Sequence, residues 1–236
     1  MGISLGNMKH REPALSRGLF LCAVTILFLV GLLACKTASA AGPIPNPAVD
    51  EPLAKARTQQ TAVFSGGCFW GVQAVFEHVK GVTSVVAGYS GGVADTAHYE
   101  IVSTGDTGHA ESVKVTYDPS QISYGRLLKV FFSVAHDPTQ LNRQGPDEGT
   151  QYRSIIFYAS PDQKRIAQAY IDQLNQAKFF SQRIVTDVTA LNAFYPAEDY
   201  HQDYLVHHPN DPYIMFNDLP KLTHLQQEFP ELYVAK

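Results

Sequence analysis

The sequence predicts an irregular α/β domain, α+β in its detail, on three observations. Apolar runs with strand character alternate with stretches whose apolar positions recur at helical spacing. A glycine-rich turn at 88–92 and a long polar loop at 137–151 break that alternation, which sets the chain apart from a doubly wound nucleotide binder. The composition, 45% hydrophobic and 17% charged over 236 residues, suits one well-cored domain with an appendage.

The appendage is N-terminal. Lys9, Arg11 and Arg17 precede an almost unbroken apolar run from Leu19 to Ala34, and small residues follow, which is the pattern of a secretory signal. The run is short for a bilayer span. Residues 1–40 are therefore expected to be a signal peptide, with Ala38-Ser39-Ala40 a fitting cleavage site. Leu32-Leu33-Ala34-Cys35 also resembles a bacterial lipoprotein box, in which Cys35 would carry lipid. The expected location is the bacterial periplasm or cell envelope, free or anchored through Cys35. Residues 41–60, with Pro43, Pro45, Pro47 and Pro52, read as a Pro/Ala-rich linker. The folded domain is expected over 61–236.

Removing residues 1–40 takes away four Lys/Arg and one Asp/Glu, which moves the balance from 18 against 22 to 14 against 21, a formal charge of −7. No Lys/Arg run stands in the mature region, so a basic nucleic-acid surface is excluded. Cys22 and Cys35 fall in or beside the leader. Cys68 is then the lone thiol beyond it, and an unpaired thiol in an exported chain asks for an explanation.

Along the domain, Thr61-Ala62-Val63-Phe64 reads as a buried strand. Val72, Val75, Phe76 and Val79 give a helix that Gly81 ends, followed by a strand over Val82–Ala87 that enters the glycine turn Gly88-Tyr89-Ser90-Gly91-Gly92. Val113, Val115 and Tyr117 alternate with polar neighbours as a strand with one buried face, ended by Asp118-Pro119. Ser123 caps a helix containing Leu127, Leu128, Phe131 and Phe132. After the loop come a strand over Ser154–Ala159, a helix opened by Ser160-Pro161, and a strand over Ile184–Leu191. Glu198–Val206 reads as a short helix, and the tail Asp218–Tyr233 as a segment packed across the surface.

Chemistry is sought first in Gly66-Gly67-Cys68-Phe69-Trp70-Gly71, where a strand hands over to a helix. Glycines permit a tight backbone, and a helix start lowers a thiol's pKa toward the reactive thiolate. A lone cysteine is also often just a small buried apolar residue. Three polar clusters offer partners. Tyr99 with Thr104–Glu111 places Glu111 at a strand's start, where burial would keep it protonated as a general acid. Gln144–Arg153 includes Asp147 and the phenol of Tyr152. The third holds Tyr195, Glu198, Tyr200, His201 and Tyr204, with Tyr200 and Tyr204 four apart on one helix face. No ligand set for zinc is present. A Cys–His hydrolase using His109 or His201 as base meets its minimum requirement, though no third orienting residue stands out.

Taken together, the motifs GCFWG at 67–71, TGHAE at 107–111, HDPTQLNRQGPDEGTQYRS at 136–154 and AEDYHQDYL at 197–205 resemble those of the A-type peptide-methionine sulfoxide reductases, in the family's order. The resemblance implies a ferredoxin-like α/β sandwich core with long loops and an irregular C-terminal extension. It implies that Cys68 attacks the sulfoxide sulfur, Glu111 protonates the oxygen, Tyr99 and Tyr152 hydrogen-bond that oxygen, and Asp147 assists recycling. Phe69 and Trp70 would wall the substrate methyl, with Gly67, His109 and Tyr200 on the same substrate side. No cofactor or metal is implied. The expected substrate is methionine sulfoxide, protein-bound or free, reduced by a monomer. Many members carry further cysteines near the C-terminus that attack the sulfenic acid, but after Tyr213 this chain reads Ile214-Met215-Phe216-Asn217. Regeneration by thioredoxin or another external thiol is expected instead. The competing readings are a thiol peroxidase, which needs neither the Phe69-Trp70 wall nor Glu111, and a methionine-sulfoxide binding module.

Overall fold

The computed structural model describes residues 42–236, so the signal reading of 1–40 and the lipidation of Cys35 lie outside the described residues. In chain order these residues form β1 (Gln60–Ser65), α1 (Phe69–Glu77), β2 (Val82–Ser90), α2 (Tyr99–Val102), β3 (Ala110–Tyr117), α3 (Tyr124–Val130) and β4 (Arg143–Gln144). There follow β5 (Asp147–Glu148), β6 (Ile155–Tyr158), α4 (Pro161–Gln176), β7 (Asp187–Ala190), β8 (Phe194–Pro196), α5 (Tyr204–His207) and α6 (Leu219–Glu228).

The main sheet has the order β7-β6-β1-β3-β2-β8. Its inner strands β6-β1-β3-β2 are antiparallel, and the path β1-α1-β2-β3-α3-β6 through them is the ferredoxin-like β-α-β-β-α-β arrangement. β7 adds in parallel to β6 after the α4 crossover, and β8 adds antiparallel to β2. Apolar alternation explains why β3 lies inside: Val113, Val115 and Tyr117 are buried, while Lys114 and Thr116 reach the other face. Phe64 of β1 stacks on Phe76 of α1 at 5.3 Å, on Tyr124 of α3 at 6.2 Å and on Phe131 at 4.9 Å. This aromatic layer joins sheet to helices and holds the β1–α1 corner rigid. Ser123 and Ser160 cap α3 and α4 as expected, each hydroxyl accepting a backbone N–H from the first turn.

Five segments differ from expectation. Gly88, Tyr89 and Ser90 belong to β2 and not to a turn, because β3 and β8 pair with them from either side. The 137–151 loop contains the β4–β5 hairpin and a 3₁₀ turn at Thr150–Tyr152. Glu198–Val206 is no continuous helix: a 3₁₀ turn over Asp199–His201 is cut from α5 by Asp203, whose φ is 54°. Tyr200 and Tyr204 therefore face different ways. The C-terminal stretch is the helix α6, with Leu225 and Phe229 in the core, and not a surface strap.

The fifth is the expected linker. It is irregular in backbone yet seated on the domain. Ile44 is buried, Pro45 O accepts from Tyr170 Oη at 2.7 Å, and Asp50 accepts from Ser123 Oγ at 2.6 Å and from Gly125 N at 2.8 Å. Prolines stiffen the segment, but its apolar and acidic side chains find partners on α3 and α4 that local composition does not reveal.

Candidate active site

Cys68 is the N-cap of α1, the last residue before Phe69 turns helical. Gly67 before it has φ +89, and a Cβ there would lie 2.5 Å from Gln144 Cγ, so the tight corner needs glycine on both counts. The thiol is 8% exposed. Burial first, then the carboxyls of Glu111 and Asp218, push it well above its ordinary range, against the lowering effect of the Trp70 N–H and of Lys221. The expected low thiol pKa is thus corrected. The helix start does help the thiolate, but loss of water and two neighbouring carboxyls outweigh it.

Glu111, the second residue of β3, is buried and accepts the Phe69 N–H through Oε2 at 3.0 Å. The acid is thereby tied to the residue next to the sulfur. Burial pushes it up to about 8, opposed by the Phe69 hydrogen bond and helped by Asp147 and Asp218, so it holds its proton near neutral pH. The phenols of Tyr99, at the start of α2, and Tyr152, ending the 3₁₀ turn, both lie within the electrostatic reach of Glu111, Cys68 and Asp147. Burial is the main cause holding each above its ordinary range, and both remain donors. The backbone N–H of Tyr99 is held by Glu198 Oε1 at 3.0 Å, and Glu198 Oε2 accepts from Tyr89 at 2.9 Å. Asp147 accepts a short hydrogen bond from Tyr213.

The apolar side is built on Trp70. Its indole lies flat on Tyr204 at 3.8 Å and 7°, meets Tyr213 edge-on at 5.9 Å, and donates Nε1–H to His201 Nδ1 at 3.2 Å. Phe69 is buried, with the His201 ring 5.0 Å away. His201 is consequently a brace for the wall. With Nδ1 accepting, its proton sits on Nε2, so it is not free to act as base toward Cys68. Beside these residues a cavity of about 200 Å³ reaches Cys68, bounded by Asp147, Tyr213, Phe216 and Lys221 among others.

Not every predicted residue joins the site. His109 is buried with both ring nitrogens engaged by the 91–93 loop, Nδ1 accepting from Gly92 N at 3.2 Å and Nε2 bonded to Val93 O at 3.0 Å. It staples that loop. Tyr200 is 56% exposed against His201, at the outer rim. Gly67 serves by making room. Sequence reasoning missed Tyr213, Asp218 and Lys221. The i, i+3 spacing of Asp218 and Lys221 was a readable sign of an ion pair, but nothing local tied it to Cys68. Among the described residues no group of three or more His, Cys, Asp or Glu is arranged to hold a metal ion.

A buried sulfur at a helix start, with a carboxylic acid held against its neighbour and an aromatic wall alongside, defines a cysteine-dependent oxidoreductase site on a ferredoxin-like core. Residues 60–232 match the family model described as peptide methionine sulfoxide reductase. The chain is 62% identical over 177 residues to peptide methionine sulfoxide reductase MsrA 2 of Mesorhizobium japonicum, covering 75% of this chain and 91% of that protein. It is 56% identical over 195 residues to MsrA 2 of Synechocystis, covering 82% and 91%. Among solved structures it is similar to methionine sulfoxide reductase A of Corynebacterium diphtheriae, with TM-score 0.58 and 35% identity over 73% of this chain and 88% of that one. Reduced Mxr1 of Saccharomyces cerevisiae gives TM-score 0.61 and 32% identity over 68% and 94%. The chain belongs to the peptide methionine sulfoxide reductase family. Its activity is the reduction of methionine sulfoxide to methionine.

Proposed function

We propose that the enzyme acts on the S epimer through a Cys68 sulfenic acid and is regenerated directly by an external thiol. The observation that carries this reading is the Phe69 N–H to Glu111 hydrogen bond, which fixes a protonated acid beside the nucleophile. The Cys68 thiolate attacks the sulfoxide sulfur while Glu111 gives its proton to the oxygen. The S–O bond breaks, oxygen passes to Cys68 as Cys–SOH, and the thioether leaves with Glu111 ionised. Tyr99 and Tyr152 donate to the oxygen as it gains charge, and Phe69 and Trp70 take the methyl. A chiral polar group between donors and an apolar wall is held in one hand.

An external thiol RSH then attacks Cys–SOH, forming Cys68–S–SR and water, with Asp147 handling the proton. A second thiol releases Cys68–SH and the disulfide of the reductant. Cys68 is the free cysteine of the described residues, which supports a reductant from outside the chain, such as a thioredoxin-like protein. Mass spectrometry after a single turnover without reductant tests this. A sulfenate trapped on Cys68 is expected, and a disulfide within the mature chain would overturn the recycling scheme.

The leader-like segment supports a setting in the cell envelope and a role in repairing oxidised exported proteins. N-terminal mass analysis of the native protein would separate a cleaved form, a form lipidated at Cys35 and an intact one. We take the working unit to be a monomer, to be checked by light scattering.

A further inference from the structure

Asp218 and Lys221 take no part in the chemistry described so far, yet they stand against it. Asp218 is the residue before α6 and is fully buried. Its Oδ1 takes Lys221 Nζ at 3.1 Å, and its Oδ2 has no hydrogen-bond partner. A buried carboxyl left half satisfied is costly, and it is kept where something holds it in place. That something is the first turn of α1. A Cβ on Gly71 would lie 2.0 Å from Asp218 Oδ1 and 2.7 Å from Lys221 Nζ, so the ion pair is seated directly on the backbone of that glycine, in the turn capped by Cys68. The two members face differently. Lys221 bounds the cavity that reaches Cys68 and is 19% exposed, whereas Asp218 lies behind it with none of its side chain exposed.

The charges around the sulfur explain why this geometry matters. Glu111 faces Cys68 from β3, Asp218 from the start of α6, and the phenols of Tyr99, Tyr152, Tyr204 and Tyr213 from four other segments, with Asp147 on β5 beyond Tyr213. None of these carries a positive charge, and the Glu111 and Asp218 carboxyls work against a negative charge on sulfur. Lys221 is the cation set among them.

We propose that Lys221 is a positioning residue for the nucleophile: pinned by Asp218 on Gly71, its ammonium holds the Cys68 thiolate in the shared cavity. The inference rests on Cys68 being the nucleophile, but its test needs no sulfoxide turnover. It therefore stands or falls apart from the catalytic scheme.

The test is the pH dependence of Cys68 alkylation by iodoacetamide in the full mature protein. The midpoint reads thiolate formation and the high-pH plateau reads accessibility. Lys221→Met is expected to move the midpoint up and slow alkylation at pH 7.5 by about threefold to tenfold, with the plateau kept. Lys221→Arg, which keeps the charge, should stay within about twofold of the parent. Asp218→Asn removes a negative charge while its amide oxygen keeps the place of Oδ1 as acceptor for Lys221 Nζ, so the lysine stays seated, the midpoint should move down and alkylation should quicken. The opposite signs decide the matter. A mere clamp of α6 on α1 would be broken alike by Lys221→Met and Asp218→Asn, and both would shift in one direction. Equal shifts, or an unmoved midpoint in Asp218→Asn, overturn the proposal. Should Lys221→Met fail to fold, Lys221→Gln gives the same readout: an upward midpoint with the plateau kept carries the proposal, and an unmoved or lowered midpoint rejects it.

Discussion

Glu111 shows at the scale of one residue how surroundings turn a common side chain into an acid. Its carboxyl is raised to about 8 chiefly by burial, and the unfolded chain returns it to the ordinary value near 4.5. Because the folded form holds the proton longer, folding is opposed progressively as pH rises from about 4.5 through 8. Replacing it with Gln keeps an acceptor for Phe69 N–H and removes that cost. Glu111→Gln is therefore expected to lower kcat by about a hundredfold or more while stabilising the fold at pH 8 by on the order of 2 kcal/mol. Steady-state assays and denaturant melts check both halves, and unchanged sulfoxide reduction would refute the acid role. The pair has a second consequence. Cys68 and Glu111 both hold protons in acid, and the reacting form shares one between them, as thiolate and carboxylic acid. The profile of kcat/KM should accordingly rise with pH through about 8, where that first proton leaves the free enzyme, and in Glu111→Gln the limb should move to the ionisation of Cys68 alone. At this scale Cys68 and Glu111 were legible in the sequence as candidates. Their protonation was not, since it depends on water excluded by distant segments.

Elements decide which aromatic side chain serves the site. From spacing alone, Tyr200 and Tyr204 were equal members of one helical face. Asp203 at φ 54° breaks that face, and α5 then presents Tyr204 flat against Trp70 while Tyr200 turns to solvent. A flat stack at 3.8 Å is worth about 1 kcal/mol beyond its area. Tyr204→Leu should raise KM for a methionine-sulfoxide peptide about fivefold, whereas Tyr200→Leu should leave it nearly unchanged. Equal effects in the two variants would reject Tyr204 as the support of the wall. The β1–α1 corner makes a second case. Gly67→Ala must place a side chain at φ +89 and against Gln144, so a loss of about 1–3 kcal/mol is expected in thermal unfolding, with Cys68 displaced and activity lowered. The strand before that corner and the helix after it were legible from periodicity, which is a local property. The β4–β5 hairpin and β8 were not, because so few residues carry no readable period.

For the whole molecule, the boundary of the domain is the least local feature. Residues 41–60 read as a linker because of their Pro/Ala-rich composition, yet Ile44, Pro45 and Asp50 bind to the faces of α3 and α4. A chain beginning at Gln60 should lose about 3 kcal/mol or more against one beginning at Gly42, with Tm lower by roughly 6–12 °C. Matching melts of the two chains would show the segment to be a mere tether. What the sequence by itself determined is whatever neighbours in the chain can specify: the alternation of strands and helices, the serine caps, and the motifs that carry Cys68, Trp70 and Glu111. Tertiary structure alone decided which of these meet. Phe69 and Glu111 are 42 positions apart, and Trp70 and His201 are 131, so their contacts follow from strand order and not from spacing. The same holds for charge. Cys68 is a thiol at rest because the fold removes its water and brings Glu111 and Asp218 to it, while Lys221 answers from the far end of the chain.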